Sequence, residues 1–137
     1  MPKMKTFFVG VKGAILNKNN QLLLLKTPKG YWELPGGRID ADENVKETLT
    51  RELNEELPNI KNIGIGKIIH AVRMPFDIKE DISLFLAIYG VRADFDGKIQ
   101  ISDEHVAYKW VDISEASILI NDIGTEFVEA LGLKQSE

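Results

Sequence analysis

The 137-residue chain reads as an α+β protein, a mixed β-sheet packed between helices. Three observations predict that class. Apolar and β-branched runs bounded by turn residues dominate the chain, one strongly patterned helix interrupts them near the middle, and a second helical stretch closes it. With 44% hydrophobic and 28% charged residues, residues 1–137 are expected to form a single domain that builds one proper core.

The elements follow in order. Residues 6–16 are apolar or β-branched, Asn17-Lys18-Asn19-Asn20 supplies a turn, and Gln21 to Leu25 is apolar again, so the two runs are expected to pair as a hairpin. Pro28-Lys29-Gly30 ends the second strand, and Tyr31 to Leu34 forms a short strand before Pro35-Gly36-Gly37. A helix is expected from about Glu43 to Leu57, with Asp40 or Asp42 accepting its free amides and Asp40 with Glu43 at capping-box spacing. Pro58 ends it, because the residue before a proline is pushed out of the α region. Two long strands, Ile60 to Phe76 and Ile82 to Arg92, flank a polar segment from Asp77 to Asp81, and a shorter one runs from Val106 to Val111. Ser114 to Leu133 is helical in pattern, with a break near Asn121 to Gly124.

The net charge of −4, from 17 basic and 21 acidic residues, is unevenly placed. Seven acids and two bases lie between Asp40 and Glu56, while the remainder of the chain is close to neutral. Without a basic run the chain is a poor non-specific nucleic-acid binder. No apolar stretch approaches the length of a membrane span, and the basic Met1 to Lys5 followed by a run broken at Lys12 reads as a first strand rather than a signal peptide. The absence of cysteine removes disulfides and thiol chemistry and fits a reducing, cytoplasmic setting. His70 and His105 are too far apart in sequence to suggest an imidazole zinc site.

The acidic helix carries the chemistry. At about 100° per residue, Val45, Leu49, Leu53 and Leu57 form a buried stripe, and Glu56 falls inside its edge about 40° from Glu52. A carboxylate at the margin of an apolar face is costly unless it is paired. Glu52, Glu55 and Glu56 repel one another at neighbouring helical positions. The last turn also presents the negative end of the helix dipole to Glu55 and Glu56. A hard divalent cation, Mg²⁺ or Mn²⁺, relieves all three penalties at once; a solvated helix face is the competing reading. An EF-hand loop starting at Asp40 fails, since Val45 replaces the turn glycine and Arg51 the closing glutamate. A phosphate-binding loop fails too, because Arg38-Ile39 follows the paired glycines.

Gly37, Glu43, Arg51, Glu52, Leu53, Glu55 and Glu56 together resemble the signature of the Nudix hydrolases, of the MutT-like kind, and Trp32 to Gly37 resembles its usual lead-in. Two positions depart from it: Pro58 stands where glycine is expected and Asn59 where an apolar residue is expected. The resemblance implies an α/β/α sandwich and a Mg²⁺-dependent pyrophosphohydrolase. Its substrate would be a small nucleoside diphosphate derivative, either a nucleoside triphosphate or a nucleotide sugar. The alternative is a Nudix-like nucleotide-binding or sensor domain without catalysis. By the same resemblance Glu52 and Glu56 would hold the metal with Glu55 and the Gly37 carbonyl, Arg51 would orient a carboxylate such as Glu43, and the general base would be Glu52 as first candidate and Glu104 as second. Relatives of this kind are often homodimers, and no sequence feature decides that point here.

Outside the motif, Tyr31 beside the glycine loop, Arg38 next to Gly37, and Arg73 on a long strand are candidates for contacting substrate. Trp110 is expected to pack, with Trp32 divided between packing and stacking on a base. His105 is expected to be an exposed loop residue, and His70 has no functional argument.

Overall fold

The computed structural model describes residues 2–136. Seven strands and three helices follow one another: β1 (Thr6–Ile15), β2 (Leu22–Lys26), β3 (Trp32–Glu33), β4 (Gly36–Arg38), α1 (Val45–Glu56), β5 (Ile60–Lys79), β6 (Ile82–Phe95), β7 (Ala107–Val111), α2 (Ile113–Leu119) and α3 (Thr125–Ser136), with a 3-10 turn at Asn121–Ile123 before α3. Two sheets result, a four-stranded mixed sheet in the order β4-β1-β6-β5 and a three-stranded antiparallel sheet in the order β3-β2-β7. One core lies on the α1 side and holds Val11, Leu23, Leu25, Leu49, Leu53, Leu57 and Ile60. The other lies on the α3 side and holds Ala14, Leu22, Leu24, Leu86, Ile88 and Phe127. The α+β sandwich is therefore observed, with its β layer divided between two sheets.

The first hairpin is a correction. The Asn17 turn forms, with the Asn17 side chain accepting from the amides of Asn19 and Gln21, but the pairing stops at one isolated bridge beside it, Leu16 with Leu22. β1 and β2 then part into different sheets. β2 explains why: Leu22, Leu23, Leu24 and Leu25 are all fully buried and alternate between the two cores, so the strand must be covered on both faces. β1 is the central parallel partner of β6 from Thr6 opposite Ile82 to Ile15 opposite Val91.

The capping box also shifts. Asn44, not Asp40, caps α1, accepting from the Glu47 amide while the Glu47 side chain accepts from the Asn44 amide. The local signal is the same one displaced by a turn, and the displacement frees Glu43 for other contacts. Beyond the helix, β5 and β6 extend further than expected, and only Glu80 and Asp81 turn between them, with Asp81 at φ 60°. The two departures after α1 have a structural use. Pro58 closes the helix, and the Asn59 side chain donates to the carbonyls of Asp96 (3.2 Å) and Lys98 (2.7 Å) and accepts from the Gln100 amide at 2.9 Å. That pins the connection leading to β7.

Leu49, Leu53 and Leu57 are all 0% exposed, so α1 is held by its apolar stripe more than by its sequence propensity. Leu53→Ala is expected to cost about 2–5 kcal/mol, measured as a lowered urea midpoint with an unchanged slope.

Candidate active site

α1, β4 and the loop before β7 meet at one place. Glu52, Glu56 and Glu104 each bring a carboxylate oxygen within 4.8 Å of the others, the only such group among the described residues. The three differ in exposure: Glu56 is 2% exposed, Glu52 is half-buried, and Glu104 is exposed.

Glu56 is the anchor. Its carboxylate accepts from the Gly36 amide at 3.0 and 3.3 Å, and its own carbonyl accepts from the Ser102 amide at 3.0 Å, tying the loop that carries Glu104 to the helix end. Burial pushes the Glu56 carboxyl up to about 7, against the opposing pull of Lys12 and the Gly36 amide. Gly36 sits at φ 135°, and a Cβ there would overlap the Val11 carbonyl. Only glycine lets β4 lie close enough to β1 and α1 for this bond.

Gly37 lacks that backbone constraint, yet a Cβ on it would overlap the Glu52 carboxylate. The missing side chain is a cradle for Glu52. Arg51 holds the same carboxylate from the other side at 3.1 Å, while also donating to Glu43 at 2.7 and 2.9 Å and to Glu55 at 3.3 Å. Thr48 donates to Glu43 as well. The Arg51 guanidinium holds the Glu43 carboxyl down at about 2, so that pair stays charged across the neutral range. Arg51 and Glu43 are thus joined by two short charged hydrogen bonds. Glu55 is exposed and engaged by Arg51, outside the carboxylate trio.

The remaining candidates separate. Tyr31 and Trp32 line a cavity of about 520 Å³ together with Lys12, Glu33, Met74, Phe76 and Asn121. Arg38 lines a smaller one of about 330 Å³ that abuts Gly37. Arg73 lies over the Phe7 ring and donates to Ser83 at 3.3 Å, lining a third cavity; none of the carboxylate trio lines any of these three. Trp110 packs edge-on against Phe95 and His70 stands 6.3 Å from the Phe127 ring.

His105 is a correction: it is buried, not exposed. Its Nε2 lies 2.7 Å from a Glu33 oxygen, and Lys12 stands 3.6 Å from the other. Burial and Lys12 oppose charge on His105, but the Glu33 and Glu56 carboxylates together outweigh them and raise the imidazole above its ordinary value. Lys12, Glu33 and the buried His105 form a partly buried charged group beside β3 and β4 that sequence reasoning missed. The visible signal was Lys12 itself, a cation interrupting an apolar strand.

The donor set that comes together is oxygen only, the carboxylates of Glu52, Glu56 and Glu104, which suits a hard divalent cation. The buried acid raised toward neutrality is the kind of unrelieved charge that such a cation offsets.

Comparison with known proteins agrees with this geometry. The NUDIX domain family profile matches residues 6–131. The CTP pyrophosphohydrolase of Escherichia coli is 31% identical over 113 residues, covering 79% of this chain and 78% of that protein. A putative 8-oxo-dGTP diphosphatase of Bacillus subtilis is 34% identical over 98 residues, covering 71% and 61%. Among solved structures, a MutT protein from Methanosarcina mazei superposes with a TM-score of 0.77 at 22% identity, covering 99% of this chain and 100% of that one. The E. coli dihydroneopterin triphosphate pyrophosphohydrolase gives 0.70 at 18% identity, covering 94% and 97%. With its glutamate helix, its glycine cradle and these relatives in agreement, the chain belongs to the NUDIX family, whose hydrolases act on the pyrophosphate linkages of nucleotide derivatives.

Proposed function

We propose that this protein is a Mg²⁺-dependent pyrophosphohydrolase that cleaves the diphosphate linkage of a nucleoside triphosphate or a nucleotide sugar, with Mn²⁺ able to replace Mg²⁺. The observation that carries the reading is the convergence of Glu52, Glu56 and Glu104, with Gly37 leaving room for the Glu52 carboxylate. A binder without catalysis has no use for three crowded carboxylates whose mutual repulsion opposes folding. The printed names of the relatives range over CTP, 8-oxo-dGTP, bis-nucleosyl tetraphosphate and ADP-ribose, so they leave the substrate open within one reaction class.

In this reading Glu52, Glu56 and the Gly37 carbonyl would hold the ion, with Glu55 assisting from the exposed rim. A divalent cation there supplies neutralisation of the polyphosphate and polarisation of its phosphoryl oxygens. The protein groups do the rest. Arg51 fixes the Glu52 carboxylate through a charged pair, so the ligand geometry is set before substrate arrives. Glu104 has no ion pair and its carboxylate takes no hydrogen bond among the described residues. It is therefore the freer base for the attacking water, ahead of Glu52. The water oxygen forms the new bond to phosphorus, its proton passes to the carboxylate, and the anhydride bond breaks with its electron pair leaving on the bridging oxygen.

Three outcomes follow from those roles. Glu56→Gln replaces a buried acid already raised toward neutrality with a neutral isostere, so the protein should stay folded by circular dichroism. Its kcat on nucleoside diphosphate derivatives should fall by about 100-fold or more, at least the scale seen when metal-site partners are removed; wild-type turnover in the folded variant would sink the reading. Gly37→Ala should displace Glu52 and weaken Mn²⁺ binding by roughly tenfold, read by calorimetry, with little change in unfolding midpoint. For Glu104→Gln, steady-state kinetics should show kcat lowered by about 100-fold with KM nearly unchanged, and an unchanged kcat would remove Glu104 as the base.

A further inference from the structure

Across β4 from the carboxylates lies a site of opposite charge. Gly37 pairs with Val11 and faces the α1 core, while the next residue, Arg38, pairs with Gly10 and faces the other way. On that second face Gly10, Lys12, Arg38, Lys79, Leu84 and Leu86 line a cavity of about 330 Å³, bordered by the Gly37 backbone, whose lining includes no acidic side chain. Lys79 enters it from the tip of the β5–β6 hairpin, opposite Ile82.

Arg38 and Lys79 converge on the same ring, the guanidinium 4.6 Å and the ammonium 6.0 Å from the centre of Phe8. Neither side chain has an ion-pair partner or a side-chain hydrogen bond among the described residues. Lys12, by contrast, is engaged by Glu33 and by the Gly36 carbonyl. Like charges lining one cavity repel one another, and among the described residues no acidic side chain lines it or pairs with either cation. Each is within cation–π reach of the Phe8 ring, and both line the same cavity. Because β4 is the edge strand of its sheet, a flexible chain can pass from the carboxylate side to this cavity without crossing the sheet. The apolar end of the same face, with Ile78, Leu84 and Leu86 in common, opens into the larger aromatic cavity at Tyr31 and Trp32.

We infer that Arg38 and Lys79 form an anion subsite that takes a phosphate beyond the scissile linkage, so that the preferred substrate is a nucleoside triphosphate rather than a nucleotide sugar. The inference rests on the pyrophosphohydrolase reading for its consequence in turnover. The subsite itself rests only on the two uncompensated cations and their cavity. A neutral sugar offers them no charge, whereas a terminal phosphate offers oxygens to both.

The test uses the Arg38→Ala/Lys79→Ala protein and, as the conservative control, Lys79→Arg. Calorimetric titration with inorganic tripolyphosphate, without divalent metal, needs no catalysis. Binding should weaken about tenfold or more in the double alanine variant, the scale of losing a hydrogen bond to a charged group, and should be retained in Lys79→Arg. In turnover, kcat/KM for a nucleoside triphosphate should fall by about the same factor, while that for the nucleotide sugar with the same base should move less than about twofold. Unchanged tripolyphosphate binding, or equal losses on both substrates, would overturn the subsite. Loss of tripolyphosphate binding in a protein that hydrolyses neither substrate would instead refute the pyrophosphohydrolase reading and leave the subsite standing.

Discussion

The bond from the Gly36 amide to the buried Glu56 carboxylate is the constraint on which the site depends. A carboxylate enclosed by protein loses its water, and an amide donor with Lys12 nearby offsets only part of that cost, as the raised acid shows. To make the bond at all, β4 must approach α1 closely, and it does so because residue 36 has neither a Cβ nor an ordinary φ. The same approach places Gly37 over Glu52. Two consecutive glycines therefore set the depth of both carboxylates, and the Ser102 amide on the Glu56 carbonyl brings the Glu104 loop to the same point.

Around that anchor one cation organises the acidic segment. Arg51 touches Glu43, Glu52 and Glu55, so a stretch with seven acids is arranged about a single guanidinium. Its strongest engagement, shown by the two shortest contacts and the deeply lowered acid, is with Glu43. Glu43 is free for this because Asn44 and Glu47 carry the helix cap instead. Neither Glu56 nor Glu104 contacts Arg51. The arrangement fixes one member of the trio, Glu52, and leaves the other two uncompensated by any arginine.

Much of this was legible in the sequence for a specific reason. The apolar stripe of α1 and the intrusion of Glu56 into it are consequences of helical period alone, and burial of Glu56 at 2% exposure follows from that angle. The helical tail and its break at Asn121–Gly124 were readable from the same periodicity. Pairing was not readable. The runs of β1 and β2 look like a hairpin locally, but whether two adjacent strands stay together depends on how many faces each must bury, and β2 must bury both. The cap was misplaced by one turn because two acceptor and glutamate pairs of equal spacing occur in succession, Asp40 with Glu43 and Asn44 with Glu47. His105 was misread because its partner, Glu33, is 72 residues away, and no local pattern carries that distance.

The alternation of a strand explains how one short segment serves two opposite charges. Successive residues point to opposite faces, so Gly37 yields to the acidic cluster on the α1 face while Arg38 joins the basic cavity on the other. On a helix, neighbours in sequence would diverge by only about 100°, and the acid and base would quench one another. At an edge strand they are kept apart by the thickness of a backbone while remaining joined around its open side. Register is therefore as much a part of the site as composition: a slip of one residue in the pairing of β4 with β1 would turn Arg38 toward Glu52 and place Gly37 over the basic cavity, neutralising both. The close fit of Gly36 against the Val11 carbonyl tolerates no side chain at that position and so holds the strand in the one register that keeps the charges separate.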